Sequence, residues 1–277
     1  MPLVMITPPM AQPLHLNAVK RHLRVDLPDD DDLIDIYLSE AVNGAFIETQ
    51  RQLVAAKFQY VLDEFPECAI ELPVAPLLEV SSIQYTALDG STKTVSPSTY
   101  VINEPGDRGL VVPLFGNVWP ISQPQSGSVL VNFSAGYVSP FVADLNTDTI
   151  KVTNWPALVI GAVVRVSNSG GTLPKPLQPK TDYYIQSVVS PGVCKLAATP
   201  GGAAIDLTDN GAGLNFMAAL GINENQGEIP GAILSWLLLT VETRYSYRGG
   251  LINTPGGMVT KNPFIDRILD PYRLVLQ

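Results

Sequence analysis

Charge is what this sequence has least of. Lys, Arg, Asp and Glu make up 16% of its 277 residues, against roughly 25% in an ordinary soluble domain. Apolar residues reach 46% and the mean hydropathy is positive at +0.18. Such a chain can fill a sizeable core, but it must cover its surface with neutral polar, small and some apolar groups. Two kinds of protein fit: a β-rich domain full of Thr, Ser and Asn, or a subunit whose surface is partly buried against partners. Basic residues are scarcer than acidic ones, 17 against 26, for a net charge of −9. This excludes a general nucleic-acid binder, whose affinity rests on Lys and Arg neutralising phosphates. An acidic surface suits ordinary solubility and equally a channel wall past which DNA slides without adhering.

Cysteine and histidine are nearly absent. Cys68 and Cys194 stand far apart and His15 and His22 are the only imidazoles, so neither a disulfide framework nor a metal-ligand spacing exists. His15 and His22 are seven residues apart with no third ligand nearby. No nucleophile–base–acid set stands out, and the glycines form neither a phosphate loop nor a dinucleotide fingerprint. A hydrolase reading lacks paired carboxylates in a recognisable context. No catalytic, metal or cofactor residue is therefore assigned. Long apolar runs are missing too. Ala232–Val241 is too short to span a bilayer, and the start MPLVMITPPMAQPL lacks the basic residues of a signal peptide. The expectation is a soluble chain, intracellular where it is made, with no membrane partner.

Proline and glycine divide what is present. Pro2, Pro8, Pro9 and Pro13 forbid a helix over 1–13, which reads as an extended arm. Leu16, Val19 and Leu23 give one apolar face to a helix over about 14–24. The run Asp29–Asp32 suits the N-terminus of a second helix, about 30–52, as caps and dipole complement; Leu33, Ile36, Tyr37, Ala41 and Gly44 would be its apolar positions, with Gly44 at a close helix crossing. An EF-hand reading of the aspartates lacks the alternating ligands and terminal Glu. From about 56 to 137 the period changes to two, and strands are expected at 57–62, 80–85, 100–102, 110–112 and 128–133. Residues 140–222 carry strands of their own at 149–153, 163–166, 183–188, 193–197 and 204–207, separated by Gly and Pro turns, as in a small sandwich or barrel. Helical spacing returns at 229–247 through Ile233, Trp236, Leu237, Val241 and Tyr245.

One amphipathic helix cannot bury its stripe alone. The economical solution packs all three together, with the β-unit inserted between the second and third. The fold class is thus α+β: a small helical bundle with antiparallel strands, an inserted all-β domain and an extended C-terminal tail. The divisions are 1–13 (arm), 14–139 with 223–250 (core domain), 140–222 (inserted β-domain) and 251–277 (tail). Past Pro255-Gly256-Gly257 the tail gathers Phe264, Ile265, Ile268, Leu269, Tyr272 and Leu274, which are expected to dock either on their own domain or on a neighbour. Lys20, Arg21 and Arg24 form the compact basic patch, a solvated helix face or a contact for an acidic partner or passing DNA.

Several segments in their order resemble the head–tail connector (adaptor) family of tailed bacteriophages: LNAVKRHLRVD (16–26), DDDDLIDIYLSEAV (29–42), LPVAPLLEVSSIQY (72–85), SPSTYVI (96–102), WP (119–120), VLVNFSAGY (129–137), IPGAILSWLLLTVETRY (229–245) and NPFIDRILDPYRL (262–274). They span the chain except 1–13 and about 140–222, where relatives pass almost directly from the AGY turn to the last helix. The resemblance implies a structural virion protein of the neck, made in the host cytoplasm. Its subunits would form a homo-oligomeric ring, a dodecamer, beneath the portal protein, extending the DNA channel and offering a platform to a tail-completion (stopper) or tail terminator protein. DNA would pass through the lumen without sequence-specific binding. It also implies that the tail residues dock on the portal or a neighbouring subunit, and no catalysis or cofactor. The alternative is a β-rich binding module of a tail tip or capsid surface, with Trp155, Tyr183 and Tyr184 as a carbohydrate platform.

Overall fold

The arm is extended, as its prolines require, and it is also part of a sheet. In the computed structural model, which describes residues 2–103, 109–155, 158–219, 228–247 and 267–274, Leu3–Thr7 forms β1 and runs antiparallel to β2 (Ala56–Leu62). Then follow β3 (Ile70–Glu71), β4 (Leu77–Thr86), β5 (Thr92–Thr94), β6 (Tyr100–Asn103), β7 (Leu110–Pro113) and β8 (Val129–Ala135). They make two sheets, β1-β2-β8-β4-β5 and β3-β7-β6. Register in the larger sheet sets Phe58 opposite Phe133 and Tyr60 opposite Val131. Because side chains alternate, Phe58, Leu62, Val129, Val131 and Phe133 face one core together with Ile70, Leu72 and Val111.

Six strands then close a barrel in the order β10-β13-β12-β11-β14-β9. They are β9 (Ser139–Asp144), β10 (Thr149–Val152), β11 (Val163–Thr172), β12 (Asp182–Ser190), β13 (Val193–Ala197) and β14 (Ala212–Ala219). Phe141, Ile150, Val164, Val166, Tyr183, Ile185, Cys194, Leu196 and Met217 fill the inside. Three strands differ from the sequence reading. Residues 204–207 contribute only a bridge between Ala204 and Ala197, whereas β9 and β14, both needed for closure, show no polar–apolar alternation. β14 lacks it because it is buried on both sides: Met217 points into the barrel while Phe216 and Ala218 belong to the helical core.

The three helices are α1 (Leu16–Leu23), α2 (Asp31–Thr49) and α3 (Gly231–Ser246). Val19, Ile34, Leu38, Ala41, Ala45, Ile233, Leu237 and Val241 form their shared core. The face expected for α2 was rotated: Ile34, Leu38, Ala41, Ala45 and Thr49 are inside, and Ile36 is 61% exposed. Gly44 does mark a close approach, since a Cβ there would lie 3.3 Å from the Trp236 ring. The aspartate run caps little. Asp30 provides no side-chain cap but accepts from the Tyr245 hydroxyl at 2.6 Å, and Asp31 pairs with Lys20 at 2.5 Å. The run thus ties α2 to both other helices.

The barrel is joined to the helices by more than the chain. Leu214, Phe216 and Ala218 pack into the helical core, and the His15 amide donates to Ser169 Oγ at 2.8 Å. Gly170, at φ +78, sits so near His15 that a Cβ would come within 2.5 Å of its ring.

Candidate assembly surfaces

The basic patch on α1 divides on inspection. Lys20 is committed within the chain, donating to Asp31 Oδ1 and to the Leu27 carbonyl. Arg21 and Arg24 are exposed, and Arg24 closes the helix in the left-handed conformation. His15 caps α1, its Nδ1 accepting from the Asn17 amide at 3.1 Å, and His22 meets Glu242 at 3.1 Å. Both histidines therefore have structural partners. Among the described residues no three His, Cys, Asp or Glu side chains group as metal ligands. Burial pushes the Cys194 thiol up to about 11, so it is an inert core residue.

The described end of the tail is seated on its own chain. Leu269 is 1% exposed within the helical core, and Tyr272 packs beside it. The backbone is fixed by Leu274 N donating to the Thr49 carbonyl and by Arg51 Nε donating to the Tyr272 carbonyl at 2.7 Å. Arg273 pairs with Glu48 at 2.8 Å. Arg51 also reaches the Tyr137 hydroxyl, linking the tail to the strand junction ahead of the barrel. Ile268 and Leu274 are half-buried; Phe264 and Ile265 lie outside the described residues.

The three aromatic residues of the carbohydrate reading do not share a platform. Tyr183 is buried, its hydroxyl accepting from the Gln178 amide. Tyr184, next to it on β12, necessarily points to the opposite face, and Trp155 leans on the barrel core.

The surfaces with unused apolar capacity lie elsewhere. On edge strand β1, Val4, Met5 and Ile6 are 43–53% exposed. Between β7 and β8, a loop exposes Leu114 at 43%, Phe115 at 103%, Val118 at 87% and Ile121 at 76%. Sequence reasoning passed over this loop, because isolated apolar residues among Pro and Gly have no period. A signal was present nonetheless: no Lys, Arg, Asp or Glu occurs between Arg108 and Asp144. A groove of about 340 Å³ runs between the arm and α2, lined by Pro9, Met10, Pro13, Val42, Asn43 and Val54 among others, with no charged residue.

No known protein-family profile matches the chain, and no curated protein matches it in sequence. Solved structures do match in shape. A chain in the neck of an empty gene transfer agent (GTA) particle, computed with C6 symmetry, superposes with a TM-score of 0.56 at 14% identity, covering 100% of this chain and 97% of that one. In fold, this chain is similar to components of gene transfer agent particles. Matches to a chain of the native GTA virion (TM-score 0.56, 15% identity) and to one in the native GTA neck computed with C12 symmetry (0.54, 15%) have the same coverage. The likeness spans the whole chain, barrel included.

Proposed function

We propose that this protein is a head–tail connector subunit of a tailed-phage-like particle, forming a ring in the neck between portal and tail. The observation that carries the reading is the whole-length fold likeness to chains of gene transfer agent necks, in structures computed with C6 and C12 symmetry. Composition agrees. A chain with 16% charged residues and several exposed apolar segments has surface suited to burial in an assembly. The role is structural and non-enzymatic. The ring is a dodecamer that extends the DNA channel below the portal protein and presents a platform to a stopper or tail terminator protein. Arg21 and Arg24 are its channel or partner contacts, with Lys20 holding α1 to α2 beside them. Leu269 and Tyr272 anchor the tail, and Phe264, Ile265, Ile268 and Leu274 meet the portal or a neighbouring subunit.

Cryo-electron microscopy of particles containing this chain tests the reading. Twelve copies between portal and tail are expected. Density for the chain at the tail tip or on the capsid surface overturns the assignment.

A further inference from the structure

The exposed loop between β7 and β8 is built rather than merely left over. The Asn117 amide donates to the Leu114 carbonyl at 2.8 Å, Gly116 takes φ +86, and the Leu114 amide donates to the Thr99 carbonyl. This fixes a tight turn with Phe115 at its tip. The turn stands on a braced base: Trp119 stacks on Phe65 with centroids 5.2 Å apart and donates Nε1–H to the Cys68 carbonyl at 3.1 Å. A rigid apolar knob has little conformational freedom left to lose when it binds, which is how a contact residue becomes an affinity anchor.

Folding gains nothing from Phe115, which is fully exposed in the isolated chain. A fully exposed ring held at the tip of a fixed turn is available for a contact outside the chain. Charge selects the partner surface. Copies of a chain of net charge −9 meet with least electrostatic cost where both surfaces lack charge. The knob lies in the uncharged segment between Arg108 and Asp144, and the groove between the arm and α2 is also uncharged and largely apolar. A knob and a recess at different places on one chain make a head-to-tail contact, the type that closes into a ring when the rotation permits. We infer that the Phe115 knob of one subunit seats in the Met10–Val42–Val54 groove of the next copy of this chain. Such a loop alone is smaller than the ~800 Å² per partner of a stable interface, so it is the anchor of a wider seam. The inference rests on the ring reading above and names the self-contact within it.

The test replaces Phe115 by p-benzoyl-phenylalanine in the full chain, mixes it with ¹⁵N-labelled full chain, irradiates, and maps the cross-link by mass spectrometry. Links from position 115 to residues 9–13 or 42–54 of the differently labelled chain are expected. Links to another surface of the copy, or to a different virion protein in intact particles, overturn the inference. A second measurement is sedimentation velocity of the full chain. Phe115→Asp should weaken self-association on the order of 30-fold while leaving the monomer's thermal midpoint unmoved, and adding Met10→Lys should restore most of the loss. Unchanged association of Phe115→Asp, absence of rescue, or a wild-type chain that stays monomeric at every concentration reached overturns the contact. The two readings fail separately. A twelve-fold neck ring whose knob lies outside the groove sinks the contact and leaves the function standing. Self-association through the groove by a chain absent from the neck does the reverse.

Discussion

Each of the six barrel strands bonds to a neighbour on both sides, whereas the larger open sheet ends in β1 on one flank and three-residue β5 on the other. The flanks are defended differently. β5 carries Lys93, paired with Asp89 in the adjoining turn, and such charge discourages edge-to-edge pairing. β1 carries Val4, Met5 and Ile6 without a charge, and the apolar knob at Phe115 belongs to the neighbouring small sheet's loop. The barrel spends its bonding capacity inside the chain, and the sheet body keeps some unspent. That difference leaves the unpaired strand edges on the open sheet, where the proposed assembly could use them.

The largest way to break the comparison is where β14 packs into the helical core. Phe216→Ala removes a buried ring shared by β14 and the helical core, and should cost about 3–5 kcal/mol of unfolding free energy. Denaturant melts would measure it, and a loss below about 1 kcal/mol would mean that barrel and helices are energetically independent. Leu269→Ala strikes the tail's seat on the helices. It should cost about 2–3 kcal/mol, at the low end for buried leucines because so short a segment can relax. Unchanged stability would show the seat to be a weak contact, exchangeable with a neighbour's. Smaller again is Gly170→Ala. The left-handed backbone and the nearby His15 ring make a methyl group cost ~2 kcal/mol through strain. Hydrogen exchange should show the loss concentrated at the α1–β11 junction; protection unchanged there would refute it.

Helix positions were legible in the sequence because a 3.6-residue period survives wherever one face is buried. The face of α2 was not. Leu33, Ile34, Ile36, Tyr37 and Leu38 crowd two turns, so several phases fit, and only packing against α3 chooses Ile34 and Leu38. β9 and β14 were missed for the opposite reason. β14 is buried on both faces and shared between two cores, which erases the alternation that marks a half-exposed strand. β9 is half-exposed but carries Pro140 and Val142 on its outer face, so its sequence shows no alternation either. The aspartate run was read as capping because local chemistry favours it, yet Asp30 and Asp31 serve Tyr245 and Lys20, partners 215 and 11 residues away. The tail's own-chain seat depends on Arg51 and Thr49, whose link to residues 272–274 no pattern in either segment announces. Trp119 stacks half-buried on Phe65 as the base of the knob whose tip is Phe115, and neither residue sits in a periodic run that would mark it.

Acid should affect both bodies by the same small device. Each has two aspartates holding turns. In the sheet body Asp63 accepts from the Gly127 amide and Ser126 hydroxyl, and Asp89 from the Ser91 hydroxyl and amide. In the barrel Asp144 accepts from the Asn146 amide and Thr147 hydroxyl, and Asp209 from the Lys175 and Gly211 amides. These bonds hold all four carboxyls below the ordinary carboxylate value. A carboxyl depressed by folding stabilises the native state above its unfolded pKa and loses that contribution as pH falls through the folded value. The thermal midpoint should therefore be insensitive to these groups above about pH 5 and decline below about pH 4. Because the aspartates are exposed, each contribution is modest. Asp144→Asn retains an acceptor but cannot titrate, so it should flatten part of the acid slope; Asp89→Asn should do the same in the open sheet. If both variants keep the full slope, acid sensitivity arises elsewhere and the turns of closed and open bodies are not held by these charges. If only Asp144→Asn flattens it, acid unfolding begins in the barrel, and closing every strand edge has not made that body the more robust one.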